Sequence, residues 1–131
     1  MRVMFFTSGP GRRTESVSVD YIFDADTAVL AWESLLTGVT LEELRHRGEP
    51  RIVRARQCGD EEFALSSALR TALAEADHER LQRLAHQWAD LEARDGYHDP
   101  VTAEEARELL TGLAALAREA GKSHNIHCRW G

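Results

Sequence analysis

Apolar residues recur along this chain with two different periods, and the changes of period mark its elements. Val17, Val19, Tyr21 and Phe23 alternate with Ser18, Asp20, Ile22 and Asp24. A period of two predicts a strand from Val17 to Asp24, with one buried face and one more polar face. Arg2 to Thr7 is a short apolar run with aromatic and β-branched members, which predicts another strand, and Ser8-Gly9-Pro10-Gly11 predicts a turn after it. Arg51 to Cys58 reads as a third strand, broken at Gly59. The tail from His124 to Trp130 reads as a fourth, because Ile126, Cys128 and Trp130 alternate with Asn125, His127 and Arg129.

Between these segments the period lengthens to that of a helix. Asp26 is placed to cap a helix from Thr27 to Thr37, with Val29, Trp32 and Leu36 on one stripe and Gly38 at its end. Thr40-Leu41-Glu42-Glu43 has the form of a capping box and opens a short helix that Gly48 and Pro50 stop. Asp60 is expected to cap a helix whose stripe is Leu65, Leu69, Ala72 and Ala76. The next stripe, Leu81, Leu84, Trp88 and Leu91, is out of phase with it, so a break with a new cap at Asp77 is preferred to one long bent helix. Asp95 to Pro100 reads as a loop. Thr102-Ala103-Glu104-Glu105 is a second capping box, opening a helix with Ala106, Leu109, Leu110, Leu113, Leu116, Ala117 and Ala120 on one face and Gly121 at its end.

Strands at both ends and helices between them predict an α+β fold: a small three- or four-stranded, at least partly antiparallel sheet with four or five helices packed on one face. The length of 131 residues fits a single domain, with residues 1–16 either its first strand or a loosely attached appendage. Hydrophobic residues at 43% and charged residues at 29% are ordinary for a globular domain and argue against disorder. No stretch approaches the length of a membrane span, and Met1 to Ser8 lacks the long apolar segment and cleavage pattern of a secretory signal. With only Cys58 and Cys128, a disulfide framework is not expected. These features together predict a cytoplasmic protein with reduced thiols.

The net charge of −6 argues against binding to nucleic acid or to an anionic membrane, and suits a basic partner or a cationic substrate. Fifteen of the 16 basic residues are arginine, Lys122 being the lysine, which reads as coding bias rather than as a functional signal. The chain has no Walker loop, no GxGxxG and no GxSxG elbow, so nucleotide cofactors and α/β-hydrolase chemistry are not indicated, and no cofactor is expected. His124, His127 and Cys128 lie within five residues, but on a strand neighbouring side chains diverge, which disfavours a shared metal.

The candidate chemistry lies on the polar face of the sheet. If Val19, Tyr21, Phe23, Ile126, Cys128 and Trp130 face inward, then Ser18, Asp20, Asp24, Asn125, His127 and Arg129 face outward, and Arg54 and Arg56 can join them. His127 is the candidate general acid or base, with Asp20 to orient it. Arg129 or Arg54 can clamp a ligand carboxylate, and Asn125 can contact substrate. The competing reading is an ordinary solvated sheet face with cross-strand charge pairs. Tyr97 and His98, on the loop before Pro100, are further candidate ligand contacts, unless Tyr97 merely packs over the connection. His86 and Asp90 stand one turn apart, as helix-surface pairs commonly do.

Two functional readings follow. In the first, the chain is a binding domain for a peptide or small polar metabolite, extending to an accessory or tailoring enzyme that uses His/Asp acid–base chemistry with an arginine clamp. In the second, it is an acidic inhibitor or immunity-type protein that neutralises a basic partner. A concave polar pocket marks the first, and a convex acidic face without a pocket marks the second. Ala-rich helix stripes also suggest a homodimer.

Overall fold

In the computed structural model, residues 3–8, 16–19, 23–54, 61–95, 100–121 and 125–130 are described. The chain order is β1 (Val3–Ser8), β2 (Ser16–Val19), α1 (Ala25–Thr37), α2 (Leu41–His46), β3 (Arg51–Arg54), β4 (Glu61–Ala64), α3 (Ser67–Glu75), α4 (His78–Asp95), α5 (Ala103–Ala120) and β5 (Asn125–Trp130). The fold is α+β. The five strands pair antiparallel in the order β2-β1-β5-β4-β3. Two hairpins therefore flank the C-terminal strand, which closes the sheet by entering between β1 and β4. The sheet has five strands where three or four were expected. The additional one is β4, in the stretch that the sequence pattern assigns to a helix capped at Asp60.

Alternation along each strand separates the two faces. Val3, Phe5, Phe63, Ile126 and Cys128 are fully buried toward the helices. Val17 and Val19 pack against the same core from β2. Helix α5 lies against β1, β2 and β5 and also packs on α3 and α4. Its close seat depends on Gly112, where an added Cβ would meet both Val17 methyl carbons at 3.4 Å. The Ala stripe that suggested a dimer seam is buried within the chain itself, at Ala106, Ala114, Ala117 and Ala120.

Phe5, Phe23, Trp32 and Trp88 form the aromatic centre of the core. Trp32 and Trp88 meet edge to face, with centroids 5.0 Å apart, and Phe23 stands edge-on to Trp88 at 5.2 Å. Such geometry sets the positive ring edge against the negative face. Neither indole N–H, of Trp32 or of Trp88, has a hydrogen-bond partner among the described residues.

Helix ends are set largely as the sequence predicts. Thr102 and Glu105 form both halves of a capping box at α5. At α2 only half forms: Thr40 accepts from the Glu43 amide at 3.2 Å, but the Glu43 carboxylate turns to Arg47 Nε at 3.1 Å. Asp77 accepts from the Arg80 amide at 2.8 Å and starts α4 after the predicted break. Helix α1 begins one turn-half earlier than expected, with Asp24 at its N-cap and Asp26 in its first turn. Gly38, at φ 80°, ends it in the left-handed conformation that glycine adopts without a Cβ clash. Arginines from other helices satisfy the open carbonyls at two helix ends. Arg80 donates to the Leu36 carbonyl, and Arg118 donates to the carbonyls of Ala74 and Ala76.

No helix among the described residues is long and apolar enough to cross a membrane.

Candidate functional site

Register places two rows across the outer face of the sheet. Phe6, His127, Ala64 and Arg51 stand opposite one another along one line, and Met4, Arg129, Glu62 and Arg54 along the next. His127, Arg129 and Asn125 therefore share a face, as the alternation predicts. Arg54 pairs with Glu62 through its backbone position; its side chain lies outside the described residues, as do Asp20, Tyr97, His98, Cys58 and His124.

The carboxylate that meets His127 is Glu62. His127 Nδ1 lies 3.0 Å from Glu62 Oε2, and Arg129 donates through Nη2 at 2.9 Å and Nε at 3.3 Å to Glu62 Oε1. Burial raises the Glu62 carboxyl, but hydrogen bonds and charge from His127 and Arg129 outweigh it and hold it below the usual carboxylate range. Ionised Glu62 only accepts, so Nδ1 of His127 carries the proton. The Phe6 ring covers this cluster, 5.7 Å from the His127 ring and 5.4 Å from the Arg129 guanidinium carbon, within cation–π range. His127 and Glu62 side chains are only 12% and 13% exposed. The Arg129 guanidinium does hold a carboxylate, that of Glu62 on the neighbouring strand. This is a compact cross-strand ion pair with a fixed imidazole tautomer. His86 and Asp90 are both exposed on α4.

A polar cavity of about 420 Å³ opens at the end of this face, where β3, β4 and β5 meet the start of α3. Asn125, Ala64 and Arg51 continue the sheet face into its wall, Ser66, Ser67 and Arg70 come from the start of α3, and Glu33 comes from α1. Arg47 and Glu49, after α2, complete the charged lining.

Glu33 is the unusual residue. It lies on the buried side of α1, one turn from Val29, and is 5% exposed, the only buried charged residue among those described. One oxygen accepts from the Ser66 hydroxyl at 2.5 Å. The same hydroxyl caps α3 by accepting from the Leu69 amide at 3.0 Å. No ion pair to Glu33 forms among the described residues. Burial pushes the Glu49 carboxyl above its ordinary value, and the charge of Glu33 adds to this, against the pull of Arg51. Two acids thus border one cavity, and the charge of Glu33 bears on the Glu49 carboxyl.

Of the expected site residues, Asn125 lines the cavity, while His127 and Arg129 lie beside it in their own cluster. Glu33, Glu49, Arg51 and Ser66 escape the pattern-based reading. A signal for Glu33 was present: it falls four residues after Val29 on an otherwise apolar stripe, where a solvated acid has no place. Among the described residues, no group of three or more His, Cys, Asp or Glu could hold a metal ion. No protein-family model, no curated protein and no solved structure matches the chain.

Proposed function

We propose that this protein is a cytoplasmic binding domain for a small polar ligand, a short peptide or a polar metabolite, held in the cavity between α1, β3 and the start of α3. The observation that carries this reading is Glu33. A carboxylate taken out of water costs several kcal/mol unless it is paired and hydrogen-bonded. Glu33 has one hydroxyl for support and faces a cavity large enough for a ligand of modest size. A ligand that pairs with it would repay the desolvation on binding. In this reading the His127–Glu62–Arg129 cluster stiffens the sheet that forms one wall, and Arg51 takes the clamp role first sought in Arg129 or Arg54.

The test is a set of ¹H–¹⁵N NMR titrations of the full chain with a panel of dipeptides, amino acids, hydroxy acids and polyamines. The expected result is saturable movement of the Ser67, Ala68, Arg51 and Asn125 amides with some members of the panel. If none moves these amides at millimolar concentration, the cavity is not a ligand site. The net charge of −6 would then favour the basic-protein reading.

A further inference from the structure

The charges around the cavity restrict what it can hold. A simple anion would leave Glu33 buried and unpaired. A neutral polar ligand would leave the opposition of Glu33 and Glu49 in place. A divalent cation would find two carboxylates but also three guanidinium groups, Arg47, Arg51 and Arg70, in the same lining. A polyamine would meet the same three positive groups. A ligand carrying both signs fits each part: its cation relieves the two acids, and its anion meets arginine.

The placement of the groups agrees with this division. Glu33 enters from α1 and is coupled electrostatically to Glu49. Ser67 and Ala68, the first residues of α3, line the cavity and bring the positive end of that helix to the wall. Arg51 is exposed at the rim, opposite Ala64 in the sheet. Arg47 is engaged with Glu43 and contributes only at a distance.

Resting on the reading of the cavity as a ligand site, we propose that it takes a short zwitterionic peptide, with the ammonium between Glu33 and Glu49 and the carboxylate on the Arg51 side, against the start of α3. The amide-bearing wall, with Asn125 and Ser66, then faces the peptide link between the two charges.

Three matched probes test this in the same NMR titration: alanyl-alanine, its N-acetyl derivative, which lacks the ammonium, and its C-terminal amide, which lacks the carboxylate. Alanyl-alanine is expected to bind with saturable shifts at Ser67, Ala68 and Asn125. N-acetylation is expected to weaken binding roughly tenfold or more, the loss that follows when one partner of a desolvated charge pair is removed. Glu33→Gln should weaken alanyl-alanine to the same extent. Arg51→Gln should weaken alanyl-alanine but not its amide. Should Glu33→Gln fail to fold, Glu49→Gln takes its place, with the same direction expected. Equal or tighter binding of the N-acetyl form overturns the ammonium assignment and leaves the cavity a ligand site. Silence from every zwitterion in the panel, with a hydroxy acid or a polyamine binding at the same amides, likewise overturns the zwitterion alone. Silence from the entire panel overturns both.

Discussion

Replacing Glu33 by glutamine removes a buried charge while keeping an oxygen for the Ser66 hydroxyl. The substitution separates two roles for this residue. If Glu33 serves the structure, it acts as a tertiary brace for the start of α3 through its 2.5 Å bond from Ser66. Glutamine would then lose the charge assistance of that bond, about 1 kcal/mol. It would also lose attraction to the helix N-terminus, about 0.5–1 kcal/mol. On the other side stand the desolvation of a carboxylate that is 5% exposed, several kcal/mol before compensation, and the repulsion from Glu49. The second group is the larger, because one hydroxyl and no ion pair among the described residues stand against the desolvation. Glu33→Gln is therefore expected to be at least as stable as the parent at pH 7, with a gain of about 1 kcal/mol, or roughly 4 °C in Tm. Urea denaturation followed by tryptophan fluorescence reads this directly, since Trp32 and Trp88 are buried. Carboxyl ¹³C NMR supplies a second readout: the Glu49 titration should move part of the way back toward its ordinary range, the remainder being held by burial. A loss of more than about 1 kcal/mol at pH 7, with no change at Glu49, would refute the reasoning and make Glu33 a structural cap.

Other expectations follow from the same structure. Glu49 is raised, so ionising it costs stability in the folded state; the advantage of its neutral form is complete below the unfolded carboxylate range and is lost as pH rises through its folded value. Glu49→Gln should accordingly be more stable than the parent at pH 7 and indistinguishable from it below about pH 4 in matched thermal melts. Glu62 has the opposite sign: its stabilisation is present above the unfolded carboxylate range and fades as pH falls through its lowered folded value. Glu62→Gln should cost about 1–3 kcal/mol at pH 7, with the gap closing in acid; a constant gap across pH would assign the loss to packing instead. Thr102→Ala breaks a complete capping box and should cost about 1 kcal/mol in urea melts, more than Thr40→Ala, where half the box forms. Burial, with the charges of Asp26 and Glu62, pushes the Cys128 thiol well up from its ordinary value. In a Cys58→Ser background, Cys128 should resist a thiol reagent until denaturant opens the core, and prompt labelling of the native protein would contradict its burial.

The helices were legible because their signals are local. The phase break at Asp77, the box at Thr102 and the αL glycine at Gly38 each depend on residues within a turn or two, and the structure carries all three. Strand β4 was not legible. Glu61–Ala64 is four residues long, and its character comes from pairing with β3 on one side and β5 on the other, neither of which a local pattern reports. Missing β4 also hides Glu62, which leaves Asp20, in the predicted second strand, as the carboxylate that alternation offers to His127. The cavity was less legible still. Glu33, the Glu49–Arg51 stretch and Ser66 come from three segments that are brought together where α1 packs on α3 beside the sheet. Asn125 was found because alternation in β5 sets its face whatever the strand order. A buried charge on an apolar stripe, as at Glu33, is the other trace of this site that the chain carries locally.

Glu33 and Glu49 are the groups proposed to receive the cation of a bound ligand. Carboxyl ¹³C NMR of the wild-type chain during titration with alanyl-alanine tests it at the atoms concerned. The Glu33 and Glu49 carboxyl carbons are expected to move together along one saturation curve, and to stay in place when the N-acetyl derivative is added at the same concentration. Saturable binding of alanyl-alanine at the cavity amides with both carboxyl signals unmoved would contradict it.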